Sequence, residues 1–280
     1  MKRAGIIGWP VAHSLSPVLH GYWLKEYGID GEMVRLPAQP EQFAAEIARV
    51  RRDGFAGVNV TVPHKEAAFA LAQSHDRAAE ICGAVNLLLF GKNGIAGRNT
   101  DHVGLSQSLK ENLGAEALAG KTVILLGAGG AARAALLALD ELGAAQIHIL
   151  NRHHDRAASL SNELALKIRA KLLPGPLESW AAIAPTAALL LNTTSAGMAG
   201  TPPLALDLTG LPQGAAVCDI IYNPLETELL RNAAARGHKT IDGLGMLMYQ
   251  AVPSFEAFFG VRSSVTPGLR AALILALNAP

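Results

Sequence analysis

KTVILLGAGGAARAALLALDEL, residues 121–142, is the stretch of sequence that decides the fold. It passes from an apolar run, typical of a strand buried on both faces, through a glycine turn into a segment that predicts a helix over 131–142. Gly127, Gly129 and Ala132 have the G-x-G-x-x-G/A spacing of a dinucleotide-binding turn. The two glycines would allow a tight bend and close approach of a pyrophosphate, and the alanine would keep the helix close to the sheet. The stretch therefore predicts a Rossmann-type domain, with a purely structural turn as the alternative.

The end of the next predicted strand indicates which dinucleotide binds. An Asp or Glu about 20 residues after the turn would hold the ribose diol of NAD, but Asn151 and Arg152 stand there instead. A guanidinium pairs with a 2′-phosphate, which a carboxylate would repel, so the sequence favours NADP. A solvated arginine after a strand is the alternative interpretation. Two further predicted strands lead into NTTSAGM (192–198) and IIYNP (220–224), at the carboxyl edge where ligands of parallel sheets bind.

The rest of the chain divides into two blocks. Residues 2–100 alternate predicted strands, including RAGIIGW and GVNVTVP, with helical segments over 16–28 and 41–52. A hairpin with Asn93 and Gly94 in its turn follows. The second block contains the strand-like runs KTVILL, AQIHIL, AALLLNTT and AAVCDIIYN, separated by crossovers. This arrangement predicts a parallel sheet with helices on both faces.

We therefore expect an α/β protein with two domains facing each other across a cleft. The first domain is expected to cover residues 1–101 together with about 246–280, because the apolar helical segments 246–259 and 266–278 should pack back on it. The second, over 102–245, is the predicted Rossmann domain.

The segment GVNVTVPHK, residues 57–65, combines a core strand with polar groups. Three valines, the last of them Val62, alternate with Asn59 and Thr61. We expect the valines to lie in the core and the two polar side chains to lie on the other face. The proline that follows stops the ladder because it has no N–H to donate, and Lys65 comes two residues later.

Composition narrows the classes of function. The 280 residues carry 24 Lys+Arg against 23 Asp+Glu, without a basic stripe for nucleic acid or a polybasic cluster for a membrane. Cys82 and Cys218 lie far apart and the histidines show no H-E-x-x-H pattern, so no metal is expected. The N-terminal apolar stretch is too short for a signal peptide, and we expect a cytoplasmic protein. Whether the chain is a monomer or a homodimer stays open.

Short motifs follow one another along nearly the whole chain: HSLSP (13–17), NVTVPHK (59–65), GAVN (83–86), NTD (99–101), GAGGAARA (127–134), NR (151–152), NTTSAGM (192–198), YNP (222–224) and DGLGMLMYQA (242–251). This ordered set resembles that of the shikimate dehydrogenase family. The resemblance implies reversible, NADPH-dependent reduction of 3-dehydroshikimate to shikimate, on the way to chorismate and the aromatic amino acids. A dinucleotide-binding fold alone would not predict HSLSP or NVTVPHK.

The resemblance also implies roles for individual residues. Lys65 and Asp101 would form the catalytic pair, with the lysine as proton donor and acceptor. The residues that would bind the small-molecule substrate are Ser14 and Ser16 for its carboxylate, Asn59, Thr61, Asn86 and Gln250 for its ring hydroxyls or for holding neighbours in place, and Tyr222 from the cofactor side. The residues that would contact NADP are Gly127, Ala128, Gly129, Gly130, Ala131, Asn151, Arg152, His153, Thr193, Ile220, Gly243 and Met246.

Besides Leu87 and Gly21, which remove no proposed contact, two positions depart from the family pattern. His102 follows NTD where glycine is usual, and it could crowd the site, add a group that titrates near neutral pH, or point away. His153 follows NR where threonine commonly binds the 2′-phosphate, although histidine can also bond a phosphate. The nearest alternative function is an NAD-dependent quinate/shikimate or aminoshikimate dehydrogenase. A non-catalytic metabolite or redox sensor is an alternative of another class, but such proteins tend to lose the catalytic pair.

Overall fold

A computed structural model describes residues 1–279 of the chain. The chain clusters into two compact units, of which the first is Met1–Thr100 together with the residues from Met248 onward. The second unit is Asp101–Leu247. Each unit has its own six-stranded sheet and its own apolar core. The α/β class predicted from alternating strands and helices is confirmed.

The first unit is built on a mixed sheet with the strand order β2-β1-β3-β5-β6-β4. Its strands are β1 (Lys2–Gly8), β2 (Gly31–Pro37), β3 (Gly57–Val60), β4 (Ser74–His75), β5 (Leu87–Gly91) and β6 (Gly94–Arg98). Strand β1 pairs in parallel with β2 and β3, whereas β5 runs antiparallel to both β3 and β6. The helices are α1 (Ser16–Glu26), α2 (Phe43–Arg52), α3 (Lys65–Leu71) and α4 (Arg77–Cys82).

Helix α2 shows how the sequence directs one face of this unit into the core. Phe43, Ile47 and Val50 recur at helical spacing, and all three are buried in one apolar cluster with Val58 and Leu88 of the sheet. The opposite side of the helix carries charged residues, including an arginine that bonds two neighbouring carboxylates. The predicted amphipathic helix is therefore confirmed.

The strand predicted through Val62 ends two residues earlier, and the prediction that this valine lies in the core is wrong. Its side chain is 68% exposed, whereas Val58 and Val60 are buried as predicted. The backbone leaves the ladder because the Thr61 carbonyl accepts the His64 N–H at 3.0 Å, which closes a turn at the end of β3. The alternation of apolar and polar residues therefore continues through Thr61 and Val62, although the strand ends at Val60.

The hairpin between β5 and β6 is also displaced by one residue from its prediction. Gly91 pairs with Gly94, so the two turn residues are Lys92 and Asn93 rather than Asn93 and Gly94. Gly94 has a φ of +128°, a conformation that side-chain-bearing residues rarely adopt. The glycine is therefore needed at the first position of β6, immediately after the turn.

The last two helices complete the first unit. Helix α10 (Gly243–Phe259) contributes its residues from Met248 onward, and α11 (Pro267–Leu277) follows. Phe255 packs against the Trp23 ring of α1 with ring centroids 5.2 Å apart, and the Trp23 indole donates to the Ser264 carbonyl at 2.9 Å. The predicted return of the C-terminal helices to the first unit is confirmed.

The second unit contains an all-parallel sheet with the strand order β12-β11-β10-β7-β8-β9. Its strands are β7 (Thr122–Leu126), β8 (Gln146–Asn151), β9 (Lys171–Pro176), β10 (Leu189–Asn192), β11 (Ala216–Asp219) and β12 (Lys239–Ile241). Its helices are α5 (Asp101–Leu113), α6 (Gly130–Glu141), α7 (His154–Leu164), α8 (Trp180–Ile183) and α9 (Glu228–Ala235).

The four predicted parallel strands are present, and two edge strands were missed. Strand β9 reads KLLPGP, and its prolines and glycine argue against a strand unless it lies at an edge. Strand β12 has only three residues, too few for a periodic signal. Both omissions concern the edges of the sheet, whereas the four predicted strands are its central ones. Among the residues described, no helix is long and apolar enough to cross a membrane.

Candidate active site

The glycine turn after β7 has the geometry that the sequence predicts for a dinucleotide site. Gly127 has a φ of +106°, and a methyl group on it would lie 2.9 Å from Thr193 Oγ1 and 3.0 Å from Thr194 Cγ2. Only glycine suits a position that combines a left-handed backbone with so close a neighbour. Ala132 is fully buried in α6, as expected where the helix packs on the sheet.

The beginning of α6 fits an anionic ligand. Apart from adjoining residues of the turn and the helix, no atom of the described chain lies within 4 Å of where a Cβ of Gly129 or Gly130 would be. Gly129, at the N-cap, has no side chain that could cap the helix, so the first N–H groups of this 12-residue helix are left to other partners. Ala128 and Ala131 flank the turn and are half-buried. This combination suits a pyrophosphate, because helix N-termini attract anions.

Polar side chains follow β8 where the adenosine ribose of a dinucleotide would be expected. Asn151 ends the strand, and its side-chain amide donates to the His153 carbonyl at 2.9 Å. This bond shapes the loop that leads into α7, whose N-cap is His153. The Arg152 and His153 side chains are both exposed. Two exposed groups that can carry positive charge suit a phosphate on the ribose better than they suit a bare diol.

A buried polar cluster that sequence reasoning missed organises the ends of β10 and β11. The Asp219 carboxylate accepts hydrogen bonds from Asn192 Nδ2 at 3.1 Å and from the Thr227 hydroxyl at 2.8 Å. Burial raises the pKa of this carboxyl, while its hydrogen bonds oppose the shift. Asn192 Oδ1 in turn accepts from the Thr194 N–H and hydroxyl, so the cluster fixes the loop that carries Thr193. Only the polar ending of β11 could have indicated it.

The remaining predicted residues of the second unit lie after β11 and at the beginning of α10. A methyl group on Gly243 would collide with the Ile220 carbonyl oxygen, so these two segments meet at a glycine for steric reasons. Met246 is half-buried one turn further along. Tyr222 is also half-buried, and burial raises the pKa of its phenol. The phenol therefore stays protonated at neutral pH and can donate a hydrogen bond.

In the first unit, the two predicted serines lie at the beginning of α1. The Ser16 N–H donates to Ser14 Oγ at 3.3 Å, and Ser16 is the first residue of the helix. The Ser14 carbonyl accepts from the Arg35 guanidinium at 2.8 Å, which fixes the loop against β2. Hydroxyls and N–H groups at a helix N-terminus suit a carboxylate for the same reason that they suit a phosphate.

Asn86 and Gln250 are joined through a residue that was not assigned a role from the sequence. Thr100 donates its N–H to Asn86 Oδ1 at 2.8 Å and its hydroxyl to the Gln250 carbonyl at 2.9 Å. Asn86 Nδ2 donates back to the Thr100 hydroxyl at 3.0 Å and approaches Gln250 Oε1 at 3.4 Å. The motif NTD contains this threonine, but its partners lie 14 and 150 residues away.

Asn59 belongs to the same polar region. It lies at the end of β3, paired with Ile6 on one side and Leu87 on the other, and is buried. Its side-chain amide donates to the Asn86 carbonyl at 3.3 Å. Thr61 follows in the turn after the strand, and its N–H donates to the Ile7 carbonyl at 2.9 Å. The structure thus brings Asn59, Asn86 and Gln250 together.

Lys65 is held by its neighbours at the first position of α3. His64 is buried, stacks on the Phe43 ring with centroids 4.7 Å apart, and places its Nε2 2.8 Å from the Ala38 carbonyl. The Lys65 carbonyl accepts the Val85 N–H at 2.9 Å, which ties the helix to the GAVN segment. The predicted lysine therefore begins a helix whose position is fixed on both sides. The contribution of His64 has no signal in the sequence.

Asp101 and His102 begin α5 in the second unit. Asp101 is buried, which is unusual for a carboxylate at the first position of a helix. His102 directs its Nε2 toward Glu141 Oε1 of α6, 3.5 Å away. Of the three alternatives left open for this histidine, contact with α6 favours the one in which the imidazole points away from the aspartate. Within residues 1–279, no group of His, Cys, Asp and Glu side chains is placed to hold a metal ion.

Comparison with known proteins identifies the family through both units. Residues 6–88 match the shikimate dehydrogenase substrate binding domain, and residues 108–196 match the shikimate/quinate 5-dehydrogenase family. A shikimate dehydrogenase (NADP(+)) of Methylobacterium radiotolerans is 49% identical over 271 residues, which cover 96% of this chain and 95% of that protein.

Solved structures of shikimate and quinate dehydrogenases are similar to this chain over nearly its full length. The shikimate 5-dehydrogenase of Thermus thermophilus, in complex with NADP(H) and shikimate, has a TM-score of 0.86 and 35% identity, covering 99% of this chain and 100% of that one. The quinate dehydrogenase of Corynebacterium glutamicum, in complex with NAD, has a TM-score of 0.89 and 28% identity, covering 98% and 99%. The chain belongs to the shikimate dehydrogenase family.

Proposed function

We propose that this chain catalyses the reversible, NADPH-dependent reduction of 3-dehydroshikimate to shikimate. The observation that carries the proposal is the similarity, over nearly the full length, to relatives named shikimate dehydrogenase (NADP(+)). The reaction belongs to the biosynthesis of chorismate and the aromatic amino acids. We assign substrate binding to the first unit and NADP binding to the second.

The substrate is a small ring acid with several hydroxyls, so its site needs one anion-binding group and several short donors and acceptors. We assign the carboxylate to Ser14 and Ser16, on the basis of their place at the beginning of α1. The ring hydroxyls are assigned to Asn59, Thr61, Asn86 and Gln250, with Tyr222 as a contact from the second unit. The hydrogen-bonded network of Asn86, Thr100 and Gln250 supports this assignment, because rigid polar groups discriminate among hydroxyl positions.

Reduction of a ring ketone needs a hydride at carbon and a proton at oxygen. Bound NADPH supplies the hydride. Lys65 donates the proton to the ketone oxygen and stabilises the charge that develops there, and in the reverse direction it accepts the proton from the hydroxyl. Asp101 is its partner and orients the ammonium group. The motifs NVTVPHK and NTD, which resemble those of the family, support this pairing.

We assign NADP to the turn formed by Gly127, Ala128, Gly129, Gly130 and Ala131, with the pyrophosphate at the beginning of α6. Arg152 and His153 take the 2′-phosphate, and Asn151 shapes their loop. Thr193, Ile220, Gly243 and Met246 line the nicotinamide end. The histidine in place of the family's usual threonine makes coenzyme preference the first property to measure.

The experiment is a set of initial rates of shikimate and quinate oxidation, each with NADP and with NAD. We expect strong preference for shikimate with NADP. The Lys65→Ala variant should lose turnover by about 10²–10⁴-fold while shikimate still binds. Lys92→Ala, in the exposed hairpin turn, is the matched control and should be unchanged.

The other outcomes separate the alternatives. Comparable rates with NAD and quinate would place the chain in the branch represented by the quinate dehydrogenase with NAD. Binding of both ligands without turnover in any combination would favour a sensor. Full activity of Lys65→Ala would refute the assigned proton donor.

We also propose a cytoplasmic location and assembly as a homodimer. Strand β2 is an edge strand of the first sheet and, among residues 1–279, pairs with β1 alone, so its seven residues can accept a second strand along the other side. Sedimentation velocity at micromolar concentration tests the assembly. A single monomeric species would refute it.

A further inference from the structure

The polar region of the first unit contains a second residue with no assigned role, Ser254 of α10. Its side chain is fully buried, and its hydroxyl accepts a hydrogen bond from Asn59 Nδ2 at 2.8 Å. The two residues are 195 positions apart in the chain. Asn59 belongs to the proposed substrate site, so the inference drawn from this contact rests on the proposed function.

The packing of α10 on β3 sets the position of the serine. A methyl group on Gly57 would lie 2.8 Å from Phe258 Cε1, so the helix lies directly against the strand at that glycine. From Phe258 back to Ser254 is about one helical turn, roughly 6 Å. From Gly57 on to Asn59 is two strand residues, roughly 6.7 Å. The matching distances place the serine beside the asparagine, and this register holds the contact in place.

The hydrogen bonds of Asn59 determine which end of its amide is used internally. The Asn86 carbonyl can only accept, so it requires the nitrogen of Asn59 to face it, at 3.3 Å. Ser254 Oγ takes the second hydrogen of the same nitrogen. Both donors of the amide are therefore committed within the protein. What Asn59 has left to offer a ligand is its oxygen, which only accepts.

That oxygen is buried and, within the part of the chain that the structure describes, has no hydrogen-bond partner. Asn59 as a whole is only 4% exposed. The large majority of buried side-chain oxygens in proteins are paired, and an unpaired one indicates a partner that the chain does not supply. A hydroxyl hydrogen of the ring substrate is a partner of the required kind.

We propose that Ser254 is a positioning residue that fixes the Asn59 amide with its oxygen toward the substrate, so that this site selects a ring hydroxyl that donates a hydrogen bond. The serine itself does not contact the substrate. Without it, Asn59 Nδ2 keeps only the longer bond to Asn86 and the amide can rotate. The site would then bind the same hydroxyl less tightly without losing its other contacts.

The test measures dissociation constants for shikimate and for its 3-, 4- and 5-deoxy analogues by calorimetry with the full chain. Ser254→Ala should weaken shikimate binding roughly tenfold. It should weaken two of the analogues equally and leave unchanged the one that lacks the selected hydroxyl. Ser263→Ala is the matched control, because Ser263 is also buried and its Oγ has no partner among the described residues. The control should leave all four constants unchanged.

Thermal unfolding checks that each variant is folded. If Ser254→Ala is unstable, Ser254→Cys replaces it, because cysteine is similar in volume to serine and its sulfur is a weaker hydrogen-bond acceptor. Equal losses for shikimate and all three analogues, no loss for shikimate, or the same loss in Ser263→Ala would each overturn the inference. Turnover of shikimate with NADP by the unchanged protein keeps the proposed function in each of these cases. Failure of the unchanged protein to bind shikimate would overturn both.

Discussion

His20 lies on α1 inside a box of aromatic rings, and its burial predicts an acid-sensitive first unit. Its side chain is fully buried, and neither ring nitrogen has a hydrogen-bond partner among residues 1–279. The rings of Trp23, Phe255, Phe258 and Phe259 surround it, with centroids between 5.7 and 6.3 Å from its own. Burial without a partner lowers the pKa of the imidazole to about 3, because nothing replaces the water that would solvate the charge.

The sign of the effect follows from proton binding in the two states. An unfolded histidine titrates near pH 6.5, so below that pH the unfolded chain binds a proton that the folded chain excludes. The contribution of the neutral His20 side chain to the free energy of unfolding is therefore fully present above pH 6.5 and is lost as the pH falls toward 3. The slope in this window is about 1.4 kcal/mol per pH unit, and the loss between pH 7 and pH 5 is about 2 kcal/mol from this residue alone.

The assay is urea unfolding, followed by circular dichroism at pH 7 and pH 5, of the unchanged protein and of His20→Leu. Leucine is apolar and similar in volume, so the variant should be at least as stable at pH 7 and should lose about 2 kcal/mol less between the two pH values. His13→Gln, at an exposed position, is the control and should keep the pH dependence of the unchanged protein. An identical pH dependence in His20→Leu would refute the reasoning, since it would show that His20 is not the group excluded from protonation.

Three other predictions concern single contacts. Gly127→Ala should destabilise the second unit by about 1–3 kcal/mol, because Gly127 has a φ of +106° and lies close to Thr193. The control Gly21→Ala, at an exposed position of α1, should stabilise the protein by about 0.5–1 kcal/mol. Both are measured by thermal unfolding, and equal shifts of the two midpoints would contradict the prediction. Arg152→Ser should raise KM for NADP by about 10–100-fold and leave KM for NAD nearly unchanged, and equal changes would remove the arginine from the 2′-phosphate site. Asp76→Ala removes the N-cap side chain that accepts the Ala79 N–H at 2.7 Å, and it should lower the free energy of unfolding by about 1–2 kcal/mol. Urea unfolding measures this loss, and an unchanged midpoint would count against the cap.

The parts of the fold that could be predicted depend on neighbours in the sequence. The glycine turn after β7 requires a strand, a left-handed residue and a helix in immediate succession, and all three are visible in one stretch of 22 residues. The apolar face of α2 is likewise predicted from residues that lie within ten positions of one another. Strand β9 was missed because its two prolines lower its intrinsic preference, and only its place at the edge of the sheet makes them tolerable.

The parts of the site that could not be predicted depend on partners far away in the chain. Asn59 is recognisable as a polar residue in a core strand, but nothing near it in sequence indicates that Asn86 and Ser254 would use both hydrogens of its amide. Asp219 has no recognisable role in the sequence for the same reason, since its partners Asn192 and Thr227 come from other segments. An amide or a carboxylate can play opposite roles according to which atoms are already bonded.

Such buried polar groups are therefore the point at which the structure adds most to the chemistry of this chain. In the network of Asn86, Thr100 and Gln250, each of these hydrogen bonds has its donor and its acceptor within the first unit, so the network is rigid before any ligand arrives. Asn59 differs from this network, because both hydrogens of its Nδ2 are bonded within the protein, whereas its Oδ1 has no hydrogen-bond partner among the described residues. A rigid frame with one unpaired acceptor is a site that prefers a donor of defined position, because any ligand without one leaves a buried oxygen unpaired. The selectivity among ring hydroxyls then follows from the hydrogen bonds that the protein has already made with itself.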